Sequence, residues 1–293
     1  MNWSVKSALL VALVACGHVV APGAQAEVRP VVGEPRVFVF ASPGGVDLKA
    51  FVFSSNWDSK GEPRSGIVLF HGGGWASGEP EWAFARARHF AERGMVAVAA
   101  QYRLSDQESI TPIEATDDAR AVIRWMRSQA KSLGIAQDRI AAYGWSAGAH
   151  LAASAAIPDD AARGAGGKAG PNALVLVSPA VSLGSDAWFQ RLLGQRGSAR
   201  DLSPDQHVRE GLPPTLILQG NTDTVTPLAG VKRYCELLRA AKNTCELHVY
   251  EGFGHLFTPA GIPDDGMPKP DPATVADALA RTDRFLTSLG FQR

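Results

Sequence analysis

Serine, aspartate and histidine, residue types that can pass a proton among them, stand in this 293-residue chain inside glycine-containing segments. Gly144-Trp145-Ser146-Ala147-Gly148 follows an apolar run with strand character and opens a helical one. In that setting the pentapeptide predicts a nucleophile elbow, a sharp strand-to-helix turn that exposes the serine oxygen. Glycine suits both flanks because the turn leaves no room there for side chains. The helix N-terminus behind Ser146 offers unpaired N–H groups and a positive dipole end to developing negative charge. A chance Gly-Ser-Gly turn would match the same five letters but would not require a strand before it and a helix after it.

A second glycine segment, His71-Gly72-Gly73-Gly74-Trp75, follows the short apolar run 67–70. Consecutive glycines let backbone approach a substrate and aim N–H groups at it. Gly73 and Gly74, with Ala147, are the expected donors to an oxyanion. His71 is expected to orient the loop by hydrogen bonding. Trp75 is expected to floor an acyl pocket, and Trp145 to shape the substrate site.

A serine hydroxyl needs an adjacent base, and the base needs an orienting carboxylate. Downstream of Ser146 the histidines are His150, His207, His248 and His255. His150 lies one turn along the elbow helix and cannot reach back. His248 lies within a strand pattern. His255 follows the last strand in Gly252-Phe253-Gly254-His255, a glycine-lined loop suited to a base. Asp223 lies in a loop after the 216–218 strand, after Ser146 and before His255, the order Ser, acid, His; a turn-forming Asp is the plainer reading of that residue alone. His207 precedes this acid. Asp264 and Asp265 come too late.

Along the chain, short apolar runs alternate with helical patterns. Strands are expected at 37–41, 48–54, 67–70, 95–100, 140–143, 174–177, 216–218 and 247–250. Helices are expected at 81–93, 112–133, 147–156, 228–242 and 273–289. Thr111-Pro112 opens the second helix and Gly134 stops it. The order predicts a mostly parallel sheet of eight strands, begun by an antiparallel pair and covered by helices on both faces. Residues 158–171 and 261–272 read as loops, and 183–214 as an insert forming a small cap.

Together HGGGW, Tyr102-Arg103-Leu104, GWSAG, the stretch Gln219-Gly220-Asn221-Thr222-Asp223-Thr224-Val225-Thr226-Pro227 and GFGHLF resemble bacterial α/β-hydrolase-fold esterases, of the hormone-sensitive-lipase-like and acetyl-xylan or feruloyl esterase-like groups. The resemblance runs over residues 45–289. It implies hydrolysis of acyl esters through an acyl-serine, with no cofactor and no metal. Ala149 and Trp145 depart from the usual pattern around the serine. Asp118 matches an acidic position of the group and is read as structural. Trp82, Trp125 and Trp188 are read as packing residues.

Composition narrows the alternatives. Hydrophobic residues make up 45% and charged residues 20%, which argues against disorder. Lys plus Arg equals Asp plus Glu at 29 each, so no basic excess exists to hold nucleic acid. The first 26 residues carry Lys6, the apolar run 8–15 and Ala24-Gln25-Ala26, the pattern of a signal peptide removed to leave a domain of 27–293. Leu13-Val14-Ala15-Cys16 offers a second reading, a lipidated Cys16. The apolar run is too short to span a bilayer, which needs about 20 residues. In an exported protein Cys235 and Cys245 suit a disulfide, or else two buried thiols.

The expected activity is therefore an exported ester hydrolase acting on short-chain small-molecule or glycan esters. An amide or peptide hydrolase with the same triad, and a non-catalytic binding protein on the same fold, are the competing classes. Nothing in the sequence fixes an oligomeric state.

Overall fold

The structure is a computed structural model that describes residues 32–57, 61–106, 109–157, 170–262 and 266–292. The leader with Cys16, most of the 158–171 loop, and Asp264 and Asp265 lie outside the described residues.

Eight strands form one sheet: β1 (Arg36–Ala41), β2 (Leu48–Phe53), β3 (Arg64–Phe70), β4 (Val96–Ala100), β5 (Ile135–Trp145), β6 (Ala173–Val177), β7 (Thr215–Gly220) and β8 (Cys245–Tyr250). Their spatial order is β1-β2-β4-β3-β5-β6-β7-β8. β2 pairs antiparallel with β1 and with β4; every other pairing is parallel. β4 and β6 are buried along their whole length. Helices cover both faces there, so these strands read as unbroken apolar runs. β5 is longer than the four residues expected. It begins at Ile135, which pairs with Arg64, and passes through the exposed 137–139 before turning apolar.

The helices are α1 (Phe84–Glu92), α2 (Pro112–Ser128), α3 (Ala130–Leu133), α4 (Ala147–Ala156), α5 (Ala187–Leu193), α6 (Leu228–Ala240) and α7 (Pro272–Ser288). The expected helix 81–93 starts as a 3-10 turn over Pro80–Ala83. The expected helix 112–133 divides at Gln129 into α2 and α3. Thr111 closes a capping box with Glu114, and Gly134 ends α3 in the left-handed conformation that Gly adopts without strain. Two apolar cores result. On one sheet face α2, α4 and α6 bury Val122, Met126, Leu151 and Leu238. On the other, α1 and α7 bury Phe90, Phe285 and Leu286. All ten residues of α4 are buried, so this helix runs through the interior with Ser146 at its head. Among the described residues no helix is long and apolar enough to cross a membrane.

The insert is organised by α5. Asp186 caps it by accepting the Phe189 N–H, and Phe189 is fully buried. Asp118 is structural, as expected: its buried carboxylate takes the Arg103 guanidinium at 2.7 Å and the Arg103 backbone N–H at 2.9 Å. Cys235 and Cys245 are joined, with Cα atoms 5.6 Å apart. The helix ends at Ala240, two residues short of the expected end, and Lys242 at φ 62° reverses the chain. The Arg239 guanidinium donates twice to the Cys245 carbonyl, at 2.9 and 2.7 Å. β8 thus starts beside the last turns of α6, which brings the two cysteines together.

Burial lowers the His71 and His150 imidazoles to about 4 from an ordinary 6.5. Between those limits the unfolded chain binds more protons than the folded one. Stability is therefore full above pH 6.5 and falls as pH drops toward 4, by up to about 3 kcal/mol per histidine. Thermal melts from pH 7 to 4 are expected to show Tm falling over that window, with a shallower fall in His150→Gln. A Tm independent of pH across the window would contradict this account of the buried histidines.

Candidate active site

Ser146 stands at the end of β5 with φ 54° and ψ −123°. For a residue with a side chain this backbone costs on the order of 1–3 kcal/mol and must be imposed by its surroundings. Both flanking glycines show how. A Cβ on Gly144 would lie 2.2 Å from the Gly148 carbonyl oxygen, and one on Gly148 would lie 2.2 Å from the Phe70 carbonyl oxygen. Only bare backbone fits at either point. The Ser146 N–H is held by the Val177 carbonyl of β6 at 2.9 Å.

Three of the expected residues form a chain of hydrogen bonds. Ser146 Oγ is 2.9 Å from His255 Nε2. His255 Nδ1 is 3.0 Å from Asp223 Oδ2. With Nδ1–H donating to the carboxylate, Nε2 is left to accept the serine proton. All three side chains are buried to within 9% exposure, so water competes weakly for these bonds.

Asp223 is held on every side. Its Oδ1 accepts the N–H groups of Val225 and Thr226. Its Oδ2 accepts the Gln219 amide at 3.0 Å and the Thr226 hydroxyl at 2.9 Å, besides His255. Burial pushes this carboxyl up, but the hydrogen bonds from His255 and Thr226 prevail and hold it below the usual aspartate range. His255 lies on a strained loop, with Leu256 at φ 50° and Phe257 at φ 66°. Ser178 Oγ accepts the Leu256 N–H at 3.0 Å and fixes that loop to the end of β6.

The glycine loop is fixed through its carbonyls. Gly72 O accepts from His71 Nδ1 at 2.6 Å. Gly73 O accepts from the Ser77 N–H and hydroxyl and the Ala76 N–H. Gly74 O accepts from the Trp188 indole at 3.1 Å. In a planar trans peptide the following N–H points the opposite way. The N–H groups of Gly73 and Gly74 are thereby aimed away from these anchors. Ala147 is the first residue of α4, whose opening N–H groups have no intrahelical acceptor. The loop and the elbow touch directly, since a Cβ on Gly72 would lie 3.1 Å from the Trp145 carbonyl oxygen.

Trp75 and Trp145, expected at the substrate site, are both buried. Trp75 is 3% exposed, and its indole N–H donates to His150 Nδ1 at 3.1 Å. Trp145 is 6% exposed and turns to the opposite face of the sheet from α4, with the Arg86 guanidinium 4.8 Å over its ring. Conversely Trp188, expected as packing, is 39% exposed beside Gly74. Sequence reasoning also missed Gln219, Thr226 and Ser178. The signal for Gln219 was present: a polar side chain ends the apolar strand β7, four residues before Asp223.

The BD-FAE family model matches residues 57–236, which include the glycine loop, the elbow and Asp223. Esterase 2 of the planctomycete Thermogutta terrifontis, solved with propionate bound, superposes with a TM-score of 0.76 at 33% identity, covering 88% of this chain and 96% of that one. A structure of the same esterase phosphonylated by sarin gives 0.77, again at 33% identity, over 88% of this chain and 96% of that one. A probable isoprenylcysteine alpha-carbonyl methylesterase of Arabidopsis thaliana is 25% identical over 66% of this chain and 45% of its own length. The probable carboxylic ester hydrolase LipM of Mycobacterium tuberculosis is 28% identical over 59% of this chain and 44% of its own. The chain thus spans about half the length of the curated relatives it matches. With a family model matching more than half the chain and a similar esterase aligned over nearly its whole length, the chain belongs to the BD-FAE family and has the α/β-hydrolase esterase fold.

Proposed function

We propose that this protein is an exported serine esterase that cleaves short-chain carboxylic esters through an acyl-Ser146 intermediate. The observation that carries the reading is the Ser146–His255–Asp223 relay at 2.9 and 3.0 Å, set against a glycine loop whose Gly73 and Gly74 N–H groups have no hydrogen-bond acceptor among the described residues.

Ser146 Oγ attacks the ester carbonyl carbon while His255 Nε2 takes its proton. The carbonyl oxygen becomes an oxyanion that accepts from the Gly73, Gly74 and Ala147 N–H groups. Collapse expels the alcohol oxygen, which leaves with the proton from His255. Water then gives a proton to His255 and attacks the acyl carbon. Collapse of that second intermediate returns the proton to Ser146 and releases the acid. Asp223 stays ionised throughout, keeps the Nδ1–H tautomer and stabilises the imidazolium. The downward shift of its carboxyl favours that role.

Short acyl groups fit the architecture. The one α-helix of the insert has seven residues, and its Trp188 lies against Gly74. The similar Thermogutta esterase has been solved with propionate and with butyrate bound. Beside the Asp223 loop a cleft of about 390 Å³ opens between residues 179–187 and 224–231, with Ser182, Ser185, Asp186 and Thr224 in its wall. Such a lining suits a hydroxyl-rich alcohol, in keeping with an acetylated or feruloylated polysaccharide.

Ser146→Ala is expected to lower p-nitrophenyl acetate hydrolysis on the order of 10⁴-fold at unchanged Tm. Turnover near wild type in a folded Ser146→Ala protein would refute the mechanism. Rates measured from acetate to decanoate esters are expected to peak at four carbons or fewer. A maximum at decanoate would show that the acyl pocket is misread.

Export rests on the leader pattern and suits the Cys235–Cys245 link. Intact-mass measurement of protein recovered outside the cytoplasm is expected to give a chain beginning at Glu27 and lacking two hydrogens. A chain retaining residues 1–26 would overturn the export reading, a mass for lipidated Cys16 would overturn cleavage after Ala26, and two free thiols would overturn the bridge.

A further inference from the structure

The glycine loop ends in a residue that should not hold its own conformation. Trp75 has φ 61°, in the left-handed region that side-chain-bearing residues avoid. Something outside the loop must keep it there. The contacts that do so come from two places, helix α4 and the insert.

Trp75 donates its indole N–H to His150 Nδ1 at 3.1 Å. With Nδ1 accepting, the neutral His150 ring carries its proton on Nε2. That nitrogen lies 3.0 Å from the Leu202 carbonyl of the insert and donates to it. Ser154 Oγ lies 3.2 Å from the same nitrogen. The ring is 1% exposed and serves no proton transfer at Ser146. Phe189 of α5 packs on both partners, its ring centroid 4.6 Å from Trp75 and 5.2 Å from His150. One residue earlier, the Trp188 indole N–H holds Gly74 O at 3.1 Å, and a Cβ on Gly74 would lie 3.3 Å from that nitrogen. Gly74 O belongs to the peptide that Gly74 shares with Trp75, so Trp188 fixes the orientation of the peptide unit that follows the Gly74 N–H. The insert therefore grips the last two residues of the loop directly through Trp188 and Phe189, and indirectly from Leu202 through His150.

We propose that the insert is the element that sets the oxyanion loop, with Trp188 and His150 acting as positioning residues for the Gly73 and Gly74 N–H donors. In this arrangement catalytic competence depends on the insert being seated: when it lifts, Gly74 O loses its donor and Trp75 loses the relay that holds its strained backbone. The proposal rests on the reading of the loop as an oxyanion hole. It places the influence of the insert on the transition state, where the negative charge appears, and only weakly on ground-state binding.

The test uses the full chain with Trp188→Phe, which keeps an aromatic ring and removes the indole N–H, and His150→Leu, which removes both hydrogen bonds of the relay. Each is expected to lower kcat about tenfold or more while KM stays within about twofold, since the lost stabilisation belongs to the charged intermediate. His150→Gln offers an acceptor toward Trp75 and a donor toward Leu202, and is expected to recover most of kcat. Trp75→Phe cuts the same bond from its other end, so combining it with His150→Leu is expected to add little further loss. Hydrogen exchange over residues 71–78 supplies a readout that needs no turnover. It is expected to speed up in Trp188→Phe and His150→Leu while β3 and β5 keep their protection. Unchanged loop exchange and unchanged kcat in the folded Trp188→Phe protein would overturn the proposal, and that variant alters a part-exposed side chain, so it decides the matter even where His150→Leu fails to fold. A wild-type protein without Ser146-dependent ester turnover would sink the esterase reading instead, and the exchange data would still judge the loop.

Discussion

Two backbone segments meet here with no side chain between them, and the site is built outward from that meeting. The head of α4 presses on the end of β3 at Gly148, close enough that a single methyl would strike the Phe70 carbonyl. The same crowding forces Ser146 into its strained turn. Because the glycine loop starts at the very next residue after Phe70, contact at Gly148 also fixes where that loop leaves the sheet. The Ala147 and Gly73–Gly74 N–H groups come from segments some seventy positions apart in the chain. They converge because β3 and β5 are hydrogen-bonded neighbours whose ends are in register, Phe70 against Gly144. The turn at Ser146 and the course of the glycine loop are thus one geometric fact, and a change to Gly144 or Gly148 disturbs both.

The proton relay has a different physical basis. A buried carboxylate is costly unless its charge is met by donors. Asp223 meets that cost with two backbone N–H groups, an amide, a hydroxyl and an imidazole. A carboxylate so satisfied resists protonation and gives the imidazole a fixed direction. Gln219 and Thr226 hold the carboxylate where it meets His255. Ser178 does the equivalent for the other partner by holding the Leu256 N–H. Three loops at the ends of β6, β7 and β8 are therefore locked to one another by side chains.

How much of this the sequence could show depends on how local each feature is. The elbow, the glycine loop and the Ser-Asp-His order are written in short segments, and a mostly parallel sheet follows from apolar runs that alternate with helical patterns. α5 was not legible, since seven residues give barely two turns for a period to emerge. The burial of the two tryptophans has two different causes. Tyr143 and Trp145 alternate along β5 with Ala142 and Gly144, and side chains two apart share a face. Ser146 begins the helix that covers the other face, so the strand period already turned Trp145 away from α4. Trp75 was not recoverable in this way, because its direction follows from a left-handed backbone imposed by partners more than seventy and one hundred residues downstream.

The clip between Cys235 and Cys245 sits at the first residue of β8, which is the outermost strand on its side of the sheet. An outermost strand carries unpaired backbone groups and is the natural place for peeling and for unwanted adhesion to other chains. Pinned covalently to α6 and held again by the Arg239 guanidinium, β8 cannot unzip from its leading end. Peeling must begin instead at Tyr250, where the phenol is tied to Asp277 of α7. The chain has thus been stapled at one end of this seam and buttoned at the other. A cell compartment that kept the thiols reduced would inherit the same fold with an open hem.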